Sequence, residues 1–309
     1  MRDLRRRAVS GVVAVATAIV FCGPAGPAQA DDPPPFVGWS QVLPALVTNF
    51  DAGSSDDCVA GRPACVRQTI RVMHKRFDPL AETCDHDAIF SLAYLRTTEA
   101  FFAASETAGF FKDTPRINHQ AVAFAQMYFN AYDDWAAGRI AQVAPAWRVA
   151  FRAADDRALS GSGDLLLGMN AHVNRDLPFV LVAAGMVGSG ERKYDHDQVN
   201  EVLNRVVSPL MAELAARFDP AMANTRTPYG IGYAALLQML VEWRENAWRQ
   251  AERLASAPDA AERKRVADSI EANAEAQAHL IAAAESYLPP LTSSEARDAY
   301  CNASEGSGT

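Results

Sequence analysis

Two side chains that could do chemistry together lie four residues apart in an apolar stretch, His172 and Asp176. Residues at this spacing share one face of a helix, so the imidazole and the carboxylate are expected to lie side by side. Such a pair can supply two ligands to a divalent metal ion such as zinc, or act as a general base with its orienting carboxylate. The alternative is a purely structural role, in which His172 and Asp176 bond each other or bridge to Arg175 or to Arg244.

A metal site needs more ligands than this one pair supplies. We predict that His196 and Asp197 provide them, because they follow a glycine-containing break after the apolar stretch and could fold back towards it. The alternative ligands are Glu99, His119, Asp133, Asp134, Asp195 and Glu242. The predicted metal ligands are therefore His172, Asp176, His196 and Asp197. A metal ion with an open coordination position would lower the pKa of a bound water molecule and create a hydrolytic nucleophile.

Glu242 is the third predicted catalytic residue, beside His172 and Asp176, and either Glu242 or Asp197 would complete the site. The alternative for Glu242 is an ion pair with a nearby arginine. A di-iron bundle is not indicated, because the sequence contains no Glu-x-x-His motif. Nucleophile-elbow, phosphate-loop and dinucleotide-binding motifs are also absent from the sequence.

The element that must position this pair is a predicted helix that begins with Asp164 as its N-cap. Asn170 and Asn174 fall on nearly the opposite face from His172 and Asp176, so the helix should have neighbours on both sides. Pro178 is expected to bend or end the helix, because proline lacks an N–H group and its ring clashes with the preceding turn.

The remainder of the chain shows helical periodicity and no convincing β alternation. We therefore predict an all-α fold, a single irregular bundle of about eight or nine helices around the central buried helix. The predicted segments are a signal peptide over 1–30, then an extended leader, short helix and loop over 31–64. A helical domain over 65–301 and a disordered tail over 302–309 follow.

Export is indicated by the first thirty residues, which combine four arginines, a short apolar run and the sequence Ala28-Gln29-Ala30 before Asp31. The general and the twin-arginine routes both remain open. The chain carries a net charge of −8, and loss of the arginine-rich segment makes it more negative. Nucleic acid is therefore excluded as a partner, and no later segment is expected to span a membrane.

Four cysteines remain after the signal peptide, an even number that favours two disulfides in an exported chain. Three pairings exist. We favour Cys58–Cys65, which closes a small loop, and Cys84–Cys301, which ties the end of the chain to its body.

The stretch Asn170–Pro178, together with Cys84-Asp85-His86 and Glu242-Trp243-Arg244-Glu245, resembles an uncharacterised actinobacterial family with a central Asn-Ala-His-x-x-x-Asp-Leu motif. The resemblance implies a helical domain and brings no assigned activity. The His-x-x-x-Asp unit is also similar to one in secreted, all-helical zinc-dependent phospholipases C. Of that pattern only His172 and Asp176 are present here.

Two hypotheses follow for the function. In the first, the protein is an exported metal-dependent hydrolase with its site around His172 and Asp176. In the second, it is a non-enzymatic envelope protein that binds a small apolar or lipid-like ligand between helices, and the polar cluster is structural.

Overall fold

The computed structural model describes residues 50–188, 190–223, 233–285 and 294–305. The predicted signal peptide over 1–30 and the leader up to residue 49 lie outside these ranges. Within them the chain is helical and contains no β-strand. The predicted all-α fold is confirmed.

The chain forms ten α-helices within the described ranges, several of which begin at a proline or at a capping side chain. Asp113, Ser160 and Asp259, for example, each accept a hydrogen bond from the backbone N–H three residues later, which satisfies a free donor of the first turn. In chain order the helices are α1 (Pro63–Glu82), α2 (Asp87–Ser105), α3 (Thr114–Ala136), α4 (Pro145–Asp155), α5 (Gly161–Asn170), α6 (Leu177–Ala183), α7 (Gly190–Arg217), α8 (Tyr233–Ser256), α9 (Ala260–Ala284) and α10 (Ser294–Glu305). The last helix extends into the predicted tail.

The central element is α5 continued into α6 through a π-helical segment, Ala171–Asp176. It packs against α2, α3, α4, α8 and α9, so the prediction of a bundle around one buried helix is confirmed. The helix begins four residues earlier than expected: Ser160 is the N-cap, and Asp164 lies inside the first turns, where it bonds His86. A serine hydroxyl can cap as well as a carboxylate, and the Ser-Gly-Ser-Gly sequence permits the earlier start.

Pro178 does not end the helix. It occupies the first turn of α6, where a missing N–H is tolerated, and the preceding turn widens instead. The N–H of Leu177 donates to the carbonyl of His172, five residues back. The wider turn carries His172, Asn174, Arg175 and Asp176, so the whole polar cluster sits on a helical irregularity of a kind often found at functional sites.

The two predicted disulfides, Cys58–Cys65 and Cys84–Cys301, are both present. The first closes a short loop that begins before α1 and ends in its first turn. The second joins α10 to the turn between α1 and α2, so α10 is fixed to the rest of the helical domain. Among the described residues, no helix combines the length and apolar character needed to cross a membrane.

Candidate functional site

His172 and Asp176 are both buried and bond each other, with Nδ1 of His172 3.1 Å from Oδ2 of Asp176. Two further donors hold the same carboxylate: Trp147 Nε1 donates to Oδ2 at 2.9 Å, and Arg175 Nη1 donates to Oδ1 at 2.7 Å. Burial alone would raise the pKa of Asp176. The charge of Arg175 and the hydrogen bonds from His172 and Arg175 outweigh it and lower that pKa below its ordinary value.

The ionised carboxylate fixes the tautomer of His172, because a carboxylate can only accept. Nδ1 of His172 must therefore carry the proton, which leaves a lone pair on Nε2. That atom is buried and has no hydrogen-bond partner among the described residues. Burial lowers the pKa of His172, although Asp176 opposes the shift, so the ring is neutral at pH 7. A neutral imidazole held by a carboxylate, with a free ring nitrogen, has the arrangement of a general base.

Aromatic rings enclose the imidazole. Phe124 stacks on it with ring centroids 3.5 Å apart, and Tyr94 meets it edge-on at 4.4 Å. Phe90 and Trp147 lie at 5.8 and 6.0 Å. These rings come from α2, α3 and α4, so three helices besides the central one restrict the orientation of His172.

The opposite face of the central helix is held by α9. Asn170 donates to the carbonyl of Ala274 at 2.8 Å, and Asn174 donates to Asn170 at 3.0 Å. Arg175 donates to Glu271 at 2.9 Å. The asparagine pair therefore faces away from His172, which agrees with the helical spacing, and it anchors the helix that carries the site.

A cavity of about 140 Å³ adjoins His172, between the central helix, α2, α3, α7 and α8. Its walls are almost entirely aliphatic and aromatic. The apolar residues of its lining include Phe90, Tyr94, Phe101, Ile117, Phe124, Leu165, Met169, Val199, Leu203, Val207, Leu210, Met211, Leu236 and Leu240. The cavity is of the size at which buried apolar spaces in proteins accept small organic molecules.

Few polar side chains line this cavity. The hydroxyl groups of Thr97 and Thr98 donate to carbonyls of their own helix. The other polar side chains of the lining are Gln120, His172 and Arg244. All three are more than nine-tenths buried. An apolar cavity with a small number of buried polar groups is the usual form of a small-molecule site.

The other predicted site residues lie apart from this cluster. Nε2 of His196 donates to the carbonyl of Arg244 at 3.2 Å, and Asp197 bonds Lys193 at 2.6 Å on the surface. The Glu242 side chain is exposed. The structure thus brings His172 and Asp176 together but gives His196, Asp197 and Glu242 other surroundings. Across the described ranges, no group of three or more His, Cys, Asp or Glu side chains is placed to hold a metal ion.

Sequence reasoning did not assign Gln120 or Arg244 to the site. Gln120 lies one helical turn before Phe124 on α3, and Arg244 lies one turn after Leu240 on α8, so each occupies a core-facing position. Each is a polar residue at a helical position where the spacing predicts an apolar, core-facing side chain, and this signal could have identified both.

The family model that matches residues 66–284, more than two thirds of the chain, describes a family of unknown function (DUF5995). No curated protein and no solved structure gives a significant match to the chain. The predicted membership of an uncharacterised family is confirmed.

Proposed function

This chain belongs to the family of unknown function DUF5995, and we propose that it binds a small apolar or lipid-like ligand in the cavity beside His172. The observation that carries the proposal is the cavity itself, whose walls are apolar and come from five parts of the fold. Water binds weakly in such a cavity, because few groups there can form hydrogen bonds with it. An apolar ligand binds favourably, because its apolar surface is removed from water.

The proposal includes export of the protein from the cell. It is supported by the two disulfides, which persist in oxidising compartments, and by the composition of the first thirty residues. N-terminal sequencing of the exported protein tests this part, with Asp31 as the expected first residue.

Binding can be tested with octanol, a neutral amphiphile, by titration calorimetry on the purified protein. We expect saturable binding and a higher melting temperature, because a ligand that binds only the folded state stabilises it. The Ala121→Phe replacement puts an aromatic ring at a cavity-lining position of α3 and should weaken octanol binding by about tenfold or more.

The matched control is Ala136→Phe, at an exposed position near the end of the same helix, which should bind octanol like the unmodified protein. Circular dichroism of both variants checks that they are folded. Absence of octanol binding by the unmodified protein, or equal binding by Ala121→Phe, would contradict the proposal.

A second candidate function is hydrolysis of a ligand bound in the cavity, with His172 as the general base. The specific observation that favours it is the free Nε2 of a neutral imidazole oriented by Asp176 beside the cavity. The base would take a proton from a water molecule as that water attacks an ester carbonyl. The imidazolium would then return the proton to the alkoxide as the carbon–oxygen bond to the alcohol breaks, which leaves the acid and the free alcohol. Hydrolysis of an octanoyl ester is the measurement that decides between a binding protein and an enzyme.

A further inference from the structure

Arg244 is a buried charge that has no counter-ion among the described residues. Of the three most buried arginines in the described parts of the chain, Arg175 pairs with Asp176 and Glu271, and Arg297 pairs with Asp298. Arg244 is 5% exposed, yet no carboxylate forms an ion pair with it among the described residues. An isolated buried charge is costly, so a site that retains one indicates a missing anion.

Only two of the three guanidinium nitrogens of Arg244 donate hydrogen bonds to the described residues around it. Nε donates to Asn200 at 2.8 Å, and Nη2 donates to the carbonyl of His196 at 2.5 Å. Nδ1 of His196 lies 3.4 Å from Nη2. Nη1 has no hydrogen-bond partner within the described ranges. Asp197 is the nearest source of negative charge, but Lys193 holds its carboxylate on the surface.

Gln120 is another polar side chain of the cavity that lacks hydrogen-bond partners among the described residues. It is 5% exposed, and its carboxamide oxygen has no partner among the described residues. The nitrogen of the same carboxamide makes no hydrogen bond there either. A buried side-chain amide normally bonds something, so this one also indicates a polar group that enters the cavity.

Gln120 and Arg244 are flanked by residues of one hydrophobic cluster, with Ile117 and Ala121 beside Gln120 and Leu240 one turn before Arg244. The lining residues Leu165 and Leu210 belong to a second cluster. The two polar side chains therefore lie towards one end of the cavity, and the other end is lined by aliphatic side chains.

We propose that the ligand is a single-chain amphiphile with a carboxylate head, bound with its head at Arg244 and Gln120 and its chain along the apolar walls. This inference rests on the proposed binding function and names the class of ligand. Nη1 of Arg244 and the amide nitrogen of Gln120 donate to the carboxylate oxygens. One guanidinium balances one negative charge, which fits a carboxylate better than a doubly charged phosphate.

The charge of Arg244 persists at neutral pH. Burial lowers its pKa to about 10, with Asp197 opposing the shift, so the side chain remains protonated at pH 7. The head end of the cavity is therefore positively charged before any ligand arrives. It should attract an acid and repel an amine of the same chain length.

The test compares octanoate, octanol and octylammonium in titrations of the unmodified protein. We expect octanoate to bind at least about tenfold more tightly than octanol, since charge-assisted hydrogen bonds are the stronger ones. Octylammonium should bind most weakly. Acetate, which has the head and lacks the chain, should not bind measurably.

The variant Arg244→Gln should remove the preference for octanoate over octanol, because it should lower the affinity for octanoate by about tenfold more than the affinity for octanol. Arg249→Gln, an exposed position on the same helix, makes the same change in net charge and should keep the preference. Should Arg244→Gln fail to fold, Gln120→Leu provides a second variant, which should lower octanoate affinity and raise that of octanol.

The outcomes separate the two proposals. Equal binding of octanoate and octanol by the unmodified protein overturns the assignment of the head group and leaves the cavity function intact. A preference for octanoate that survives in folded Arg244→Gln also overturns it. Failure of all the ligands to bind overturns both proposals.

Discussion

At the scale of single residues, the decisive feature is that one helical face carries a buried imidazole whose two nitrogens have different surroundings. Nδ1 of His172 bonds Asp176, which Trp147 and Arg175 hold in place, whereas Nε2 has no partner among the described residues. The chain contains a second buried pair, His86 and Asp164, with Nδ1 2.7 Å from Oδ2. Only His172 lies beside the 140 Å³ cavity.

This difference predicts the effect of replacing each histidine. If the cavity is catalytic, His172→Gln should reduce kcat/KM for p-nitrophenyl octanoate by about a hundredfold or more, the usual range for loss of a general base. Burial lowers the pKa of His172, so the base is protonated only below its ordinary pKa of about 6.5. The rate in the unmodified protein should therefore rise with pH in the acidic range and be level at neutral pH.

His86→Gln is the matched control, because it also removes a buried histidine bonded to an aspartate. It should retain hydrolysis in proportion to the folded fraction of the protein. A rate in the unmodified protein no greater than that in buffer, or an unchanged rate in His172→Gln, would rule out the enzyme and leave the binding function.

At the scale of helices, the site depends on a close approach between α2 and α5. At Gly168 a Cβ atom would lie 2.4 Å from Cγ of Phe90, which is too close for any real contact. Phe90 in turn lies edge-on to Trp147 and His172 and lines the cavity. The absence of a side chain at Gly168 therefore sets the position of an aromatic ring in the site.

We predict that Gly168→Ala lowers the free energy of unfolding by about 1–3 kcal/mol, the usual cost of overpacking, although alanine favours a helix. Urea denaturation measures the change. Gly190→Ala is the control, because it lies at the start of α7 with no atom within 4 Å of the added methyl group. A Gly168→Ala protein as stable as the Gly190→Ala protein would show that the two helices can separate freely.

At the scale of the whole molecule, the two disulfides constrain the chain very differently. Cys58–Cys65 spans 7 residues in sequence, whereas Cys84–Cys301 spans 217. The longer link fixes α10 to the turn before α2. There Arg297 donates to the carbonyls of Cys84 and Asp85, and it pairs with Asp298. Helix α10 is thus part of the folded body.

Because cross-linking restricts the unfolded chain more when the loop is longer, loss of Cys84–Cys301 should cost more than loss of Cys58–Cys65. Loop entropy gives about 5 kcal/mol for the long link and about 2 kcal/mol for the short one. Urea denaturation of Cys84→Ala/Cys301→Ala and Cys58→Ala/Cys65→Ala proteins compares them. A greater loss of stability in the second variant would show that the loop-entropy account does not apply here.

The sequence by itself determined the all-α class, the burial of the central helix and the placement of His172 beside Asp176. It also indicated two disulfides, for which three pairings were open, and the favoured pairing is confirmed. These features depend on local spacing, on a continuous apolar run and on a cysteine count, all of which can be read along the chain. The helix start at Ser160 and the π-helical turn before Pro178 were not predicted, because several local arrangements satisfy the same residues.

Only the tertiary structure decided what surrounds His172. The rings of Tyr94 and Phe124, the charge of Arg244 and the amide of Gln120 come from helices far apart in sequence. Their convergence depends on how α2, α3, α7 and α8 pack, which no spacing within one helix reveals. For the same reason His196, Asp197 and Glu242, whose types suit a metal site, have other neighbours in the described structure: packing, and not residue type, determines which groups meet.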